Sequence, residues 1–468
     1  MRRIIFTLGA VVLLSQALPA LRLEVKPGTL SDNIGPLRNT TDTELVLSGS
    51  ANVTDLALLR DLSRAVKTLD MSALRIVAYT YSDGDYMGRK SFSADEIPPY
   101  MLIGSGISTV KFPATVRIIG ESAFAASELG QLDIPTTVET IGDNAFANCA
   151  ALANVTVNKT VSFGKGVFKD CRALKNVAFG YSIAEIPEAM FDGCSSYTAA
   201  LPESVTAIGD YAFRGAGLET VDLRAIESIG AFAFADMPNL SEVIIGMDEP
   251  VSVGSGAFFN NRSIADLPNW EGVLPDLALA STAGRKSLSV SFPEIGTAAF
   301  ANNQAVQEVT LTETVKKIAP HAFRNLTALS QVNVTDLGTN MPEVAPESFS
   351  GLENENGRYD IILNVSKDTN DKWAEYPVWG LFDIKNMQTG VGSVAVNTVD
   401  ITIARNGDVV SVDSTMPIDF VGVYSLNGMT LHESNPGVDR YEMSGIDPTT
   451  IVIVKVKSGD VVKVLKLN

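Results

Sequence analysis

The stretch Ile141-Gly-Asp-Asn-Ala-Phe146-Ala-Asn-Cys149 returns along the chain almost unchanged. IGESAF begins at 119, IGDYAF at 208, IGAFAF at 229 and IGTAAF at 295. A catalytic motif serves one site and occurs once, whereas a phrase repeated at fixed spacing is architecture. Its phenylalanine falls at Phe124, Phe146, Phe168, Phe191, Phe213, Phe234, Phe258, Phe300, Phe323 and Phe349, with gaps of 22, 22, 23, 22, 21, 24, 42, 23 and 26 residues. The gap of 42 is close to two periods, so one repeat between 259 and 299 has degenerated or absorbed an insertion.

Around each Phe the pattern is constant. Five residues earlier the side chain is apolar, from Ile119 and Ile141 to Ile318 and Val344. Four residues earlier stands Gly, replaced only at Pro187, Ala319 and Ala345. This Gly suits a tight turn where a Cβ would clash, so the turns at the three exceptions should differ. After the Phe comes a strand signal, as in Leu152-x-x-Val155-x-Val157 and Leu240-x-x-Val243-x-Ile245, whose alternate side chains share one face. One coil of about 22 residues cannot bury its own apolar face. Stacked coils can, which predicts a solenoid with a ladder of short parallel strands.

IGDNAFANCAALANVTV resembles the leucine-rich repeat of BspA-like bacterial surface proteins, and the resemblance covers about 100 to 365. It implies coils of about 22–23 residues and a secreted or surface-exposed protein. Some members of that family bind host matrix proteins or mediate coaggregation and invasion. The resemblance therefore implies a protein or glycan ligand on a host or bacterial surface.

Cys149, Cys171 and Cys194 each stand three residues after a repeat Phe, where other coils carry Ser127, Ala216, Met237 or Leu326. That slot reads as small and buried, with free thiols. A disulfide between adjacent coils would leave one Cys over, and zinc would need further ligands. The two histidines, His321 and His432, are expected at solvated positions.

MRRIIFTLGAVVLLSQALPA has two Arg, a short apolar run and small residues at its end, the pattern of a signal peptide cleaved after Ala17 or Ala20. The run is short for a spanning helix, and no later segment is long and apolar enough to cross a bilayer. No Cys follows it, so lipid attachment is not expected. The formal charge is -18, and losing Arg2 and Arg3 leaves 34 basic against 54 acidic residues, or -20. So acidic a chain repels nucleic acid and anionic lipid.

An open solenoid exposes its end strands, so each end needs closing. Residues 21–98 are read as the N-terminal capping region, with strands at Leu45–Leu47 and Leu69–Met71 and a helical interlude at Val53–Leu62. Asp55 and Asp61 are expected on the solvated helix face. Residues 99–365 form the repeat solenoid. In 366–390, DKWAEYPVWGLFDI sets Trp373, Tyr376, Trp379 and Phe382 at helical spacing as the closing cap, with a sugar-stacking platform as the other reading.

Over 391–468 the texture becomes β-rich with turn signals at Asn427-Gly428 and Ser458-Gly459-Asp460, predicting an antiparallel β-sandwich. VYSLNGMTL and VIVKVKSGDVVKVLKL resemble the C-terminal sorting domain of type IX secretion. That resemblance implies a sorting signal at Gly428, Gly445, Gly459 and Lys463, the secretion machinery as a partner, and the cell surface or exterior of a Gram-negative bacterium. A Tyr usual before the last hairpin is missing after Gly445.

Catalysis needs convergent acids, bases or nucleophiles. Two histidines are too few for most such schemes, and no P-loop, G-x-S-x-G, H-E-x-x-H or dinucleotide fingerprint occurs. Carboxylate pairs such as Asp248 and Glu249 are ordinary on acidic surfaces. The expectation is no enzyme, no cofactor and no metal, but adhesion or protein binding. A structural role in the cell envelope is the alternative. The stretch NWEGVLPDLALASTAGRKSLSV breaks the period and is read either as a functional protrusion, with Trp270, Arg285 and Lys286 as ligand-binding candidates, or as a degenerate coil.

Overall fold

The computed structural model describes residues 20–467 apart from 63, 246–250, 265–271, 283–285, 335–336, 338–339, 387–400, 407, 426–429, 448–451 and 459–460. The expected signal peptide thus lies outside the described residues except for Ala20. The chain divides into two units, 1–387 and 388–468.

The first unit is a parallel solenoid. A coil carries a two-residue strand before its Phe and a four-residue strand after it, as at Thr140–Ile141 and Asn154–Val157. Both pair in parallel with their equivalents in the neighbouring coils: Ile141 lies between Ile119 and Phe163, and Val155 between Leu132 and Val177. Between the two strands the chain bends through the repeated phrase, and there lies the spine of the stack. The N–H groups of Asn144, Phe146 and Asn148 donate to the carbonyls of Lys165, Val167 and Lys169 in the next coil, at 2.8, 3.0 and 2.7 Å. Those alternate rungs require left-handed residues two places before and two after the Phe: φ is 55° at Asn144, 59° at Asn148, 49° at Ser122 and 56° at Ala126. Gly and Asn recur at these positions, as at Gly166, Gly215, Asn260 and Asn302, because they tolerate that region best, and the rungs hold even Tyr211 and Phe232 there.

The glycine four places before the Phe has another cause than the turn expected of it. Its φ is not left-handed. A Cβ on Gly142 would lie 2.7 Å from the Glu121 nitrogen, and one on Gly209 would lie 2.6 Å from the Glu188 nitrogen, so hydrogen is required by the approach of the preceding coil. Its N–H also closes a rung, Gly142 to the Ile119 carbonyl at 2.8 Å. Ala319 and Ala345 keep that rung, at 2.9 and 3.0 Å to Ile295 and Ile318. Pro187 has no N–H to give. There the short-strand sheets part, one ending at Ser162–Phe163 and the next starting at Glu185–Ile186. The spine nevertheless runs on, with Phe168 bonding to Met190 at 3.1 Å.

The long gap in the period is resolved the same way. Leu279 stands in the Phe position, 1% exposed, with Leu277 and Ser281 left-handed at φ 59° and 58° on either side. Pro275 takes the glycine place, and the short ladder parts again before it. The described residues 272–282 are therefore a coil of the stack, and the spine is unbroken: Phe258 bonds to Ala278 and Leu279 to Ala299, both at 3.0 Å.

One hydrophobic core runs from Val25 to Phe382. Every repeat Phe is buried, and successive rings of the series stack with centroids 5.1 to 6.2 Å apart. The N-terminal capping region carries the same parallel architecture to the end of the stack. Leu21–Val25, Glu44–Ala51, Thr68–Ile76 and Thr109–Lys111 form one parallel sheet. Exposed Arg22 and Glu24 on the first strand discourage pairing with another chain. Asp55 corrects its sequence reading: it is 1% exposed and accepts from the N–H groups of Gly28, Leu30 and Asn52 at 2.8–2.9 Å, completing a capping box with Asn52. Asp61 is exposed and pairs with Arg38.

At the other end, Ile362–Val365 and Asp383–Asn386 extend the ladder. Pro377 interrupts the helical spacing expected there, giving a helix at Asn370–Ala374 and a 3-10 turn at Trp379–Leu381. Trp379 and Phe382 are buried against Phe349 and Trp373 is buried against Trp379, which closes the core and removes all three from any sugar-stacking role. Tyr376 alone of the four is exposed, at 49%.

The second unit is an antiparallel sandwich. One sheet holds Ile401–Asn406, Val409–Ile418 and Val438–Met443; the other holds Phe420–Ser425, Thr430–Ser434, Val452–Ser458 and Val461–Leu467. Alternate residues Val452, Val454 and Val456 face a core shared with Val410, Val412, Val421 and Val423.

Candidate binding surface

On the four-residue strands the second and fourth residues face the core, as Leu132 and Ile134 or Val221 and Leu223 do. The first and third face outward: Gln131 and Asp133, Asn176 and Ala178, Thr220 and Asp222, Ser287 and Ser289 are all exposed. The sheet thus presents a face of small, polar and acidic side chains. Between Asn176–Phe179 and Thr220–Leu223 this ladder is interrupted, and a cleft of about 400 Å³ lies beside the break, lined by Leu201, Pro202, Glu203, Asp222 and Arg224. Its charges answer each other, since Arg224 pairs with Asp222 at 2.5 Å.

Among the described residues, a long departure from the coil outline lies at 77–95. In most other coils the link from the longer strand to the next short strand is brief, as at 135–139, 158–161 and 224–227, and the link at 334–342 is nine residues long. Here it becomes an antiparallel hairpin, Tyr79–Thr80 against Ser91–Phe92, in a unit otherwise built of parallel strands. Tyr86 and Arg89 exchange backbone bonds at 2.9 and 3.0 Å around Met87 and Gly88, both left-handed at φ 53° and 78° as in a type I′ turn. The base is pinned. Arg89 forks onto the buried Glu96 carboxylate at 2.5 and 3.1 Å and lies over the Phe92 ring at 4.3 Å. The Tyr86 hydroxyl donates to the Pro99 carbonyl at 2.8 Å and accepts from Arg60 at 3.1 Å. Tyr79 and Tyr81 meet edge to face at 4.9 Å, and Met87 is 53% exposed. Sequence reasoning passed over this element. Its signal was three of the chain's eleven tyrosines within eight residues, among Ser, Asp and Gly.

Of the residues singled out from sequence, Lys286 is exposed at the edge of a regular strand, and its carbonyl accepts from Gln307 and Glu308. Trp270, Arg285, Asp248 and Glu249 lie outside the described residues. In the second unit Gly445 is left-handed, at φ 85°, and borders a cavity of about 310 Å³ with Leu431, His432 and Met443. Lys463 sits on the final strand opposite Val456, while Gly428 and Gly459 lie outside the described residues. The histidines are half-buried rather than solvated: His321 Nδ1 is 2.8 Å from the Ser350 hydroxyl, and His432 Nε2 is 2.8 Å from the Tyr441 hydroxyl.

The cysteine slot is polar as well as small. All three thiols are free and buried. Each donates to the Phe carbonyl of the preceding coil: Cys149 to Phe124 at 3.2 Å, Cys171 to Phe146 at 3.1 Å and Cys194 to Phe168 at 3.0 Å. Burial pushes the Cys194 thiol up to about 12, so it stays protonated and unreactive. Asn261 and Asn303 fill the same slot and donate to Phe234 and Leu279 at 2.7 and 2.8 Å. Among the described residues no group of three or more His, Cys, Asp or Glu could hold a metal ion.

Stacked coils with parallel ladders and a phenylalanine spine define a leucine-rich repeat solenoid. Residues 95–219, 185–273 and 285–356 match the BspA type leucine rich repeat region, which together is more than half of the chain, and the chain belongs to that family. No curated protein sequence matches it. Among solved structures, it is similar to a leucine-rich repeat protein from Bacteroides ovatus, with 19% identity over 79% of this chain and 92% of that one and a TM-score of 0.52. Two others are the pneumococcal vaccine antigen PcpA, at 17% identity over 69% and 85% with a TM-score of 0.39, and a leucine rich cell surface protein from Faecalibacterium prausnitzii, at 22% over 57% and 95% with a TM-score of 0.28. The first shares the solenoid fold; the other two are more distant.

Proposed function

We propose that this is an exported bacterial protein of the cell surface or exterior whose solenoid mediates adhesion, by binding a protein or glycan ligand on a host matrix or on other bacteria. The observation that carries this reading is the extended solenoid surface of the described residues between 21 and 386. Its interior is filled by side chains, and its exterior offers an extended face, the surface such repeats use for recognition. Export is supported by the Arg-plus-apolar stretch at 2–20 and by the acidic composition. We assign 1–20 to the signal peptide, 21–98 to the N-terminal capping region, 99–365 to the repeat solenoid, 366–390 to the C-terminal cap or linker, and 391–468 to a sorting-like domain read through Gly428, Gly445, Gly459 and Lys463. Trp270, Arg285 and Lys286 remain binding candidates within the solenoid.

The test has two arms. The whole chain, freed of residues 1–20, should bind a host extracellular-matrix preparation or intact neighbouring bacteria saturably. If it binds neither and instead stays tied to washed envelope fragments of its own cell, the envelope-structural reading replaces adhesion. In the native host, deletion of 391–468 should leave the solenoid folded but strand it in the periplasm. Normal surface abundance of the truncated chain would overturn the sorting assignment.

A further inference from the structure

We propose that the hairpin at residues 77–95 is the contact element of the solenoid, and that it engages a protein surface rich in lysine and arginine. The inference rests on the adhesion reading and narrows it to one element and one class of partner.

Three observations converge. The hairpin is far longer than the four- or five-residue links at 135–139, 158–161 and 224–227, and it is held firmly. Its base is fixed by the forked Arg89–Glu96 pair, by the Ser93 N–H on the same carboxylate at 3.0 Å, and by the Tyr86 hydroxyl between Pro99 and Arg60. A contact loop ordered before binding loses less conformational entropy on binding.

Its composition is the second. Tyr79, Tyr81, Ser82, Gly84, Gly88 and Ser91 are the residue types that antibody paratopes favour: tyrosines supply broad amphipathic contact at small entropic cost, and serine and glycine adapt around them. Met87 is the sharpest signal. The first central place of a type I′ turn favours Asn, Asp or Gly, and an unbranched apolar side chain held left-handed there is strained. Phe232 and Leu277 are left-handed too but are half-buried in the stack, whereas Met87 is 53% exposed and gains little packing in return, which points to a use outside the fold.

Charge is the third. Arg89 is neutralised by Glu96; the outer hairpin then carries exposed Asp83 and Asp85 against Lys90, with Arg60 at its base, and the excess of acid is that of the whole chain, net charge -18. That excess of acid attracts a basic surface and repels anionic lipid.

The experiment uses the whole chain from residue 21 and two substitutions together, Asp83→Lys and Met87→Asn. Asn is favoured in the left-handed slot, so the melting temperature should hold or rise. Binding is titrated on an immobilised basement-membrane matrix, on the same matrix with its lysines acetylated, and on phosphatidylglycerol vesicles. The unaltered chain should bind the native matrix, weaken as salt rises, and weaken on acetylated matrix. The double variant should bind at least tenfold more weakly at an unchanged melting temperature. Equal binding by the double variant, with Lys286→Glu weakening it instead, would overturn the hairpin assignment while leaving adhesion standing. Undiminished binding to acetylated matrix, or preference for the vesicles, would overturn the basic-protein partner. No binding to the matrix by the unaltered chain would count against this inference and the adhesion reading alike.

Discussion

The rings of Phe213 and Phe234 lie parallel, 1° apart in plane, with centroids 5.5 Å from each other. The N–H of Phe213 meanwhile donates to the Ala233 carbonyl at 2.8 Å, one residue before its partner ring. Backbone rung and side-chain stack are thus fixed by the same pair of coils. The alanine before seven of the ten Phe residues follows from this: the residue whose carbonyl receives the rung is wholly buried, and Ala212, Ala233 and Ala257 fit, with Val167, Met190 and Ser348 in the other three coils. The recurring phrase is the sequence of a spine that keeps coils in register even where Pro187 and Pro275 interrupt the strands.

Close approach of coils predicts a contrast between glycines. Gly209→Ala places a Cβ 2.6 Å from the Glu188 nitrogen, so the coils must part, at about 1–3 kcal/mol. Gly130→Ala meets nothing within 4 Å and should be neutral or slightly stabilising. Equal denaturation midpoints for the two variants would refute the close-approach account.

Buried thiols predict silence toward reagents. Cys149, Cys171 and Cys194 should resist a thiol-specific label at pH 8 in the native protein and react fully in denaturant. Rapid labelling of the folded chain, or a disulfide found by mass spectrometry, would show the slot is open.

The amides in that slot carry more. Asn261 donates to the Phe234 carbonyl and accepts from the Met237 N–H at 2.8 Å. Asn261→Ala leaves both backbone groups buried and unpaired, a loss of about 2–4 kcal/mol, whereas Asn261→Cys should recover part of it, as Cys149, Cys171 and Cys194 do in their own coils. A loss below about 0.5 kcal/mol in urea titration would mean water replaces the amide.

Much of this was legible and some was not. Period, parallel ladders and core Phe residues follow from spacing, because each coil repeats the same burial problem. The lost repeat was obscured because Leu279 fills the Phe slot and Pro275 the glycine slot. Asp55 read as a helix-face acid because its donors, at Gly28 and Leu30, are distant in sequence. The hairpin went unmarked because its evidence is an insertion length visible only against the coil outline, and because its anchors, Glu96 and Arg60, carry no local pattern.

Acid should find one ion pair at the N-terminal end. Burial alone would raise the Asp70 carboxyl, but Lys111 at 2.8 Å and donation from Ser72 outweigh it and hold it at about 2, against an ordinary 3.8. The unfolded chain binds this proton first, so the contribution is complete above about pH 4 and is lost as pH falls through 2. Lys111→Met should flatten the change in urea midpoint across that window. An unchanged slope would show that the pair contributes nothing to folding.

The phenylalanine spine is the claim on which the rest depends, and denaturant titration of Phe213→Ala tests it most directly. Removing a fully buried ring stacked between Phe191 and Phe234 should cost about 3–5 kcal/mol, and hydrogen exchange should quicken in the flanking coils as well as its own. A loss below about 1 kcal/mol, with protection of the neighbouring coils unchanged, would contradict a stack held in register by these rings.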